Sequence, residues 1–281
     1  MNQIKTAALL SVMSALLISV SYLLIGGVGG AITGIVLAAV TNLGAWYFSD
    51  QIALASYGAG AVSYGEAPQL HDMVQSLCDR AGLPMPGIYI IPTDSANAFA
   101  TGRDPQHAAV AVTRGIMEIL TPDELEAVLA HELSHIANRD TLTQAVAATI
   151  AGAISFIAQM AFWLTPGRRD HGTNWLVILL TYLVAPLAAT VIQLSISRTR
   201  EFEADAGAAR LTRNPRALAT ALQRLDKNAK QLPLDGNPAF APLLIINPFR
   251  GDFLAKLFST HPSTDDRIAH LLQLEEKAEF S

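Results

Sequence analysis

Charged residues are scarce in this chain of 281 residues. Asp, Glu, Lys and Arg make up 15% of the sequence, against roughly a quarter in an ordinary soluble domain. The net charge of −5 includes no basic block, so the electrostatic footprint of a nucleic-acid-binding protein is missing and we expect no nucleic-acid partner. A charge deficit of this size, together with 51% hydrophobic residues, predicts a membrane protein.

Cysteine is nearly absent as well. Cys78 is the one cysteine of the sequence, which excludes a disulfide within the chain and fits a reducing compartment. We expect Cys78 to be a small apolar core residue.

The missing charges are concentrated in three uncharged runs. The first extends from residue 6 to residue 49, long enough for two bilayer spans of about 20 residues each. The glycines of GGVGG, 26–30, allow a tight bend between spans at 7–25 and 31–48. A cleaved signal peptide is the alternative for the first span, but no cleavage site with a polar mature start follows it.

The other two runs, 141–167 and 172–197, flank the short segment RRDH. They predict a third and a fourth span, with two long buried helices of a soluble protein as the alternative. Two transmembrane hairpins therefore alternate with two polar segments, in the order 1–49, 50–140, 141–197 and 198–281.

The polar segments predict a mixture of helices and short strands. Thr121, Pro122 and Glu124 have the spacing of a helix start with a capping box. The segment 232–252 is rich in Pro, Gly and Asn and indicates a long loop or flap. Hydrophobic patterning predicts a helix at 68–80, strands at 88–92, 96–101 and 107–113, and helices after the fourth span.

The stretch HELSH, 131–135, indicates a metal site. On a helix, His131 and His135 lie one turn apart on the same face and can bind one ion together. Imidazole nitrogen is a common zinc ligand. Glu132 points about 100° around the helix, where its carboxylate can reach a water molecule at the metal and act as general base. Two histidines satisfied within an apolar core are the alternative.

A catalytic zinc site needs a third protein ligand. The best candidates lie in EFEAD, 201–205, where Glu201 and Asp205 share one helical face. Either could bind the metal while the other hydrogen-bonds a ligand histidine. A solvated acidic helix start is the alternative. The two predicted spans between His135 and Glu201 return the chain to the same side of the membrane, as a shared site requires.

Basic residues near the predicted spans indicate the orientation. The side that carries the polar segments has seven of them and the opposite side has two, Arg168 and Arg169, so the positive-inside rule predicts cytoplasmic polar segments. The seven are Lys5, Arg139, Arg198, Arg200, Arg210, Arg213 and Arg216.

With HELSH and EFEAD in this order, the chain resembles the HtpX-type membrane zinc metalloproteases, which are related to the CAAX prenyl endopeptidases. NAFATG at 97–102 and LFSTHPSTDDRI at 257–268 extend the resemblance over most of the chain. Together with the spans and strands predicted above, this gives the expected fold class: an α+β fold, mainly helical and multi-pass, with four transmembrane helices and a zincin-like catalytic domain that carries a small β-sheet. The chain differs from the CAAX prenyl endopeptidases in one respect: they carry more membrane spans than the four predicted here.

The resemblance also implies roles for individual residues. His131, His135 and Glu201 would bind one Zn²⁺ per chain, Glu132 would be the general base, and Asp205 would orient a ligand. His261 would stabilise the oxyanion, with Arg267 bracing it. An edge strand would pair with the substrate backbone, and it consists of Asn97, Ala98, Phe99 and Ala100. The alternative for 97–100 is an ordinary loop strand, and the alternative for His261 is a surface or buttressing histidine.

We therefore expect a zinc-dependent integral-membrane endopeptidase of the gluzincin type in a bacterial inner membrane, with its catalytic domain in the cytoplasm. Its expected partners are the lipid bilayer and peptide or membrane-protein substrates, and the quality-control role is implied by the resemblance alone. The alternatives are a processing protease for lipidated or signal-derived peptides, and a non-catalytic membrane scaffold with a structural metal site. The sequence leaves the oligomeric state open.

Overall fold

The structure is a computed structural model that describes residues 2–151, 198–234, 238–247 and 262–277. Its first two helices form an antiparallel pair, α1 (Asn2–Ile25) and α2 (Gly27–Ser56). The turn falls on Gly26, whose φ of 82° lies in the left-handed region that glycine adopts readily. The helices approach closely at Gly34, where a Cβ atom would lie 2.6 Å from the Cα of Ile18. The bend predicted at the glycine cluster is therefore a helix–helix turn.

A four-stranded mixed sheet follows. Its strands are β1 (Gly60–Ala61), β2 (Gly87–Ile91), β3 (Ala98–Gly102) and β4 (Ala108–Thr113), in the order β1-β2-β4-β3. The pair β2 and β4 is parallel, while β1 pairs with β2, and β3 with β4, in antiparallel fashion. The sheet order leaves β3 at one edge, so one of its sides is available to groups outside the sheet.

Helices surround this sheet. The helix α3 (Pro68–Ala81) precedes β2, and α4 (Arg114–Ile119) and α5 (Pro122–Ala137) follow β4. The helix α6 (Thr141–Ala151) starts directly after α5. After the gap in the described residues come α7 (Arg198–Thr212), α8 (Pro215–Gln231), a 3₁₀ turn (Pro238–Leu243) and α9 (Thr264–Glu276).

The two faces of the sheet pack against different groups of residues. Ala98 and Ala100 of β3 join a core with α3, α5, α8 and α9, whereas Phe99 joins a second core with the end of α2 and with α6. This alternation is the two-residue period of a strand with both faces buried. The first core supports the helix that carries HELSH.

Several sequence predictions fall on described residues. The three predicted strands correspond to β2, β3 and β4, and the predicted helix at 68–80 corresponds to α3. The two-residue strand β1 and the short helix α4 were not predicted. The segment 232–252 is more ordered than a flap, because its described part contains the 3₁₀ turn and buried side chains such as Phe240, Leu244 and Ile245.

The expected membrane spans are described only in part. Within the described residues one helix, Gly27–Ser56, is long and apolar enough to cross a bilayer. Most large hydrophobic side chains that are exposed in the described residues lie on α1 and α2, which is the distribution expected of helices that face lipid. The start of the third predicted span is described as α6 (Thr141–Ala151), whereas its remainder and the whole fourth span lie outside the described residues. The count of four therefore stays a prediction.

Candidate active site

The helix α5 carries HELSH, and its start is built as the sequence predicts. The hydroxyl of Thr121 accepts from the N–H of Glu124, and the carboxylate of Glu124 accepts from the N–H of Thr121. This capping box satisfies two helix-end donors. Ten residues further on, His131, Glu132 and His135 are all buried, with the two imidazole rings on one side of the helix.

The histidines meet Glu201 from the neighbouring helix α7. One oxygen of Glu201 lies 3.6 Å from Nε2 of His135, and the other lies 3.9 Å from Nε2 of His131. Candidate ligand atoms of the three residues all lie within 4.8 Å of one another. Two segments separated by more than 60 positions in the sequence thus bring three metal-ligating side chains together, with Glu201 where EFEAD predicts a ligand.

A close contact between α5 and α7 makes this possible. A Cβ atom on Gly207 would lie 2.5 Å from Oγ of Ser134 and 3.0 Å from its Cβ. Glycine at position 207 therefore lets α7 pack against the helix face beside His135, which brings Glu201 within reach of both rings.

The three side chains fit a zinc ion. The Nε2 atoms of His131 and His135 are 3.2 Å apart, close to the separation of about 3.3 Å between two nitrogens that each lie about 2.05 Å from one tetrahedral ion. Asp205 lies 2.9 Å from Nδ1 of His131, and Asp140 lies 3.2 Å from Nδ1 of His135. These carboxylates favour hydrogen on Nδ1, so both Nε2 lone pairs face the same point, and a shared cation relieves their repulsion.

The surroundings of the two histidines shift their pKa values in opposite directions. Burial lowers the pKa of His131 to about 4, and the charge of Arg267 adds to the decrease, which keeps this ring neutral as a ligand must be. Burial also acts to lower the pKa of His135, but the carboxylates of Glu201, Asp140 and Glu132 outweigh it and raise that pKa to about 9. The carboxylates around His135 therefore stabilise a positive charge at this ring, whether it comes from a proton or from a bound cation.

Asp205 and Arg267 form a buried pair behind His131. The guanidinium donates from Nε to one carboxylate oxygen at 2.9 Å and from Nη2 to the other at 2.6 Å. Burial alone would raise the pKa of Asp205, but the charge of Arg267 and the contact with His131 hold it at about 2. Asp205 is therefore ionised, and it contacts His131 as the role implied by the resemblance requires.

Glu132 lies between the metal-ligating residues and the sheet edge. Burial raises the pKa of Glu132 to about 7, the charge of Glu201 contributes to the rise, and the N–H of Ala100 donates to the carboxylate and opposes it. A carboxylate with a pKa near neutral pH is suited to accept a proton and release it again. The contact with Ala100 connects Glu132 directly to β3.

Asp140 and Arg200 also belong to the site, and neither was predicted. Asp140 contacts His135 and accepts from Nη1 of Arg200 at 2.7 Å, and both residues are buried. A sequence signal was available, since Asp140 follows the second histidine by five residues at the end of the metal-ligating helix, and Arg200 directly precedes Glu201.

The predicted substrate strand lies at the sheet edge, but part of it contacts the protein's own chain. The carbonyl of Ala98 accepts from the N–H of Ile245 at 3.0 Å, and the side-chain amide of Asn97 donates to the carbonyl of Ile246 at 2.8 Å. Arg267 donates from Nη1 to the carbonyl of Ile245. The side chain of Phe99 lies on the other face of the sheet from those of Ala98 and Ala100, where it is buried in the second core.

His261, the predicted oxyanion-binding residue, lies outside the described residues, so its expected contact with Arg267 stays a prediction. In the described part of the chain, Arg267 is fully buried and contacts Asp205, Ile245 and, at 3.4 Å, the ring of His131.

The fold and the candidate metal site fit a metal-dependent protease. Residues 65–275 match peptidase family M48, and the chain belongs to this family. The relatives named "Protease HtpX homolog" include one from Nostoc punctiforme, 66% identical over 98% of this chain and 97% of the relative. Another is from Pyrococcus furiosus, 47% identical over 96% of this chain and 95% of the relative. The resemblance to HtpX-type proteases is thereby confirmed.

A solved structure supports the fold. The crystal structure of S. mikatae Ste24p matches with a TM-score of 0.50 and 21% identity, over 84% of this chain and 57% of that one. At this identity the match indicates a shared fold.

Proposed function

We propose that the protein is a zinc-dependent integral-membrane endopeptidase of the gluzincin type. The observation that carries this proposal is the convergence of His131, His135 and Glu201, with Glu132 beside them on the same helix. These three residues would hold one Zn²⁺, which supplies Lewis-acid polarisation of the scissile carbonyl when bound.

The chain's own residues would supply positioning and proton transfer. The carboxylate of Glu132 takes a proton from the attacking water and passes it to the leaving amine, so no covalent intermediate with the protein forms. The N–H of Ala100 fixes that carboxylate. The edge of β3 would align an extended substrate by main-chain hydrogen bonds, and His261 would donate to the developing oxyanion.

The proposed substrates are cytoplasm-exposed parts of misfolded or damaged membrane proteins. The exposed apolar surface of α1 and α2 supports an active site held near a bilayer. Basic residues on α7 and beside it support a cytoplasmic location for the catalytic domain. A reporter fused after Thr212 should behave as cytoplasmic, and an external signal would overturn this orientation.

The decisive experiment measures metal content and proteolysis on the same purified protein. Wild type should contain one zinc per chain and cleave an unfolded membrane-protein substrate. Glu132→Gln should retain the zinc and lose cleavage by several orders of magnitude, because the amide cannot accept the proton. Equal cleavage by both proteins would contradict the proposed mechanism.

Two other functions use the same site. A processing protease would cleave lipidated or signal-derived peptides in preference to unfolded membrane proteins, and a direct comparison of both substrates decides between them. A scaffold with a structural metal would need four protein ligands, and its cellular role would survive Glu132→Gln. The three-residue set in the described part of the chain favours an open, catalytic site.

A further inference from the structure

The end of helix α5 folds Asp140 back onto His135. Arg139 adopts a left-handed conformation with φ of 56°. Its N–H donates to the carbonyl of Ile136, and the N–H of Asp140 donates to the carbonyl of His135. This pair of bonds is a Schellman motif, and it fixes the backbone of Asp140 against the residue that its side chain also contacts.

The side chain of Asp140 connects the two helices that carry the metal ligands. One oxygen lies 3.2 Å from Nδ1 of His135, on α5, and the other accepts at 2.7 Å from Arg200, on α7. Asp140 is fully buried, and Arg200 is 7% exposed. The bond from Arg200 has the length of a charge-assisted hydrogen bond. It holds the Asp140 carboxylate in place, and the contact of that carboxylate with Nδ1 restricts rotation of the imidazole ring.

We propose that Asp140 and Arg200 form a positioning pair that orients His135 for metal binding, as Asp205 and Arg267 orient His131. Each ligand histidine then has its own carboxylate and its own arginine. The symmetry supports this role, because carboxylates behind ligand histidines fix the ring tautomer and strengthen metal binding. The inference rests on the proposed zinc site and concerns how tightly that site binds.

The test measures zinc affinity of the full-length protein in detergent by competition with a chromogenic chelator. Asp140→Asn and Arg200→Gln should raise the zinc dissociation constant about 10- to 100-fold. Asp123→Asn on α5 and Arg198→Gln on α7 remove the same charges from exposed positions and should leave the constant unchanged. Arg200→Lys keeps the positive charge and should retain most of the affinity.

Two further measurements separate positioning from general damage. The unfolding midpoint of the metal-free protein reports loss of packing, while the visible spectrum of the cobalt-substituted protein reports ligand geometry. A changed cobalt spectrum in Asp140→Asn supports the pair, and unchanged spectrum and affinity overturn it. If Asp140→Asn does not fold, the comparison of Arg200→Gln with Arg200→Lys decides. Wild type that binds no zinc would overturn the proposed function instead.

A second, independent observation concerns the contacts of Ile245 and Ile246. Their N–H and C=O groups all face polar partners. The backbone of Ile245 pairs with Ala98 and Arg267, and that of Ile246 pairs with both side-chain atoms of Asn97, at 2.8 Å and 3.4 Å. The backbone contacts resemble the recognition of an extended peptide at a sheet edge. The side chains of both residues are also buried in the first core, so displacement of the segment must open that packing as well.

From these contacts we infer that Ile245–Ile246 occupies the substrate-backbone subsite of β3 as an internal pseudosubstrate, which a substrate displaces when it binds. Two of the partner residues, Asn97 and Ala98, belong to the strand predicted to bind substrate. The inference rests on the proposed function, and it implies that the resting protease is partly self-blocked.

Hydrogen exchange tests the displacement without altering the segment. The protein would be zinc-loaded Glu132→Gln, with an extended peptide whose binding is first established by calorimetry. Saturation with this peptide should lower the protection of the amides of 244–246 about three- to tenfold. Unchanged or increased protection with the peptide bound would overturn the inference while leaving the proposed function intact.

A variant gives the complementary result. Ile245→Pro removes the N–H that pairs with Ala98 and should raise cleavage of a short peptide about three- to tenfold. The control Ile245→Val keeps the N–H and most of the apolar contact and should cleave like wild type. A folded, zinc-loaded Ile245→Pro protein with unchanged or reduced cleavage contradicts the pseudosubstrate role.

Discussion

At the scale of single residues, the site depends on pairs of opposite charge that are removed from water. A buried carboxylate is costly unless it is paired and hydrogen-bonded. Asp205 and Arg267 form two hydrogen bonds with each other inside the protein, and the carboxylate of Asp205 also contacts Nδ1 of His131. One substitution should therefore affect both folding and metal binding.

Asp205→Asn leaves Arg267 buried without its counter-charge. We expect a loss of about 3 kcal/mol in the free energy of unfolding, since breaking a buried ion pair from one side typically costs about 3–5 kcal/mol. Zinc affinity should fall as well. Chemical denaturation of the metal-free protein in detergent measures the first effect. Glu203→Gln, an exposed position on the same helix, is the control, and equal stability of the two variants would contradict the argument.

At the scale of elements, the approach of α7 to α5 determines whether Glu201 reaches the histidines. The contact allows no side chain at position 207, because the first added carbon would overlap Ser134. Even a methyl group must therefore displace the hydroxyl of Ser134 and press on its Cβ, which pushes the two helices apart.

Gly207→Ala should lower the free energy of unfolding by about 1–3 kcal/mol, the usual cost of overpacking, and should weaken zinc binding. The double variant Gly207→Ala, Ser134→Ala removes the hydroxyl at 2.5 Å and should recover part of both losses. Thermal unfolding and chelator competition measure the two effects. No recovery in the double variant would show that the helix contact is not the cause.

Local sequence signals predicted individual elements well. The capping box at Thr121 and Glu124, the i,i+4 histidines and the alternating strands each depend on neighbours within a few residues, so a periodic pattern reveals them. The strand β1 has only two residues and exists through its pairing with β2, which leaves no periodic signal of its own.

Contacts between distant segments were harder to predict. Asp140 and Arg200 are 60 positions apart. Each lies close in sequence to a candidate metal ligand, but no local pattern pairs one with the other. The same is true of Ile245 and Ala98, where backbone groups make the contact and side-chain identity carries no information. Spacing alone also left Glu201 and Asp205 interchangeable, and the resemblance chose between them.

At the scale of the whole molecule, the exposed apolar surface of the described residues is concentrated on the first two helices. The sheet and the helices around it bury their large hydrophobic side chains, whereas α2 exposes residues such as Ile35, Val36 and Leu43 along its length. A lipid-facing helix tolerates this exposure, and a helix in water does not.

Val36→Arg places a charge in the middle of α2 on its exposed side. If α2 crosses the bilayer, insertion should become less favourable by about 2.5–3.5 kcal/mol, and more of the protein should be extracted from membranes by alkaline carbonate. Gln51→Arg, exposed near the helix end, is the control. Equal extraction of both variants would indicate that this helix does not span.

The opposing surroundings of the two histidines have a consequence for how the ion enters. Because the pKa of His135 is raised to about 9, its ring in the metal-free protein at pH 8 carries a second proton, on Nε2, and zinc must displace that proton before the lone pair can bind. Acid therefore competes with the metal, and apparent affinity should fall about tenfold for each pH unit below 9. Calorimetry in buffers of different ionisation enthalpy should count about one proton released per ion bound.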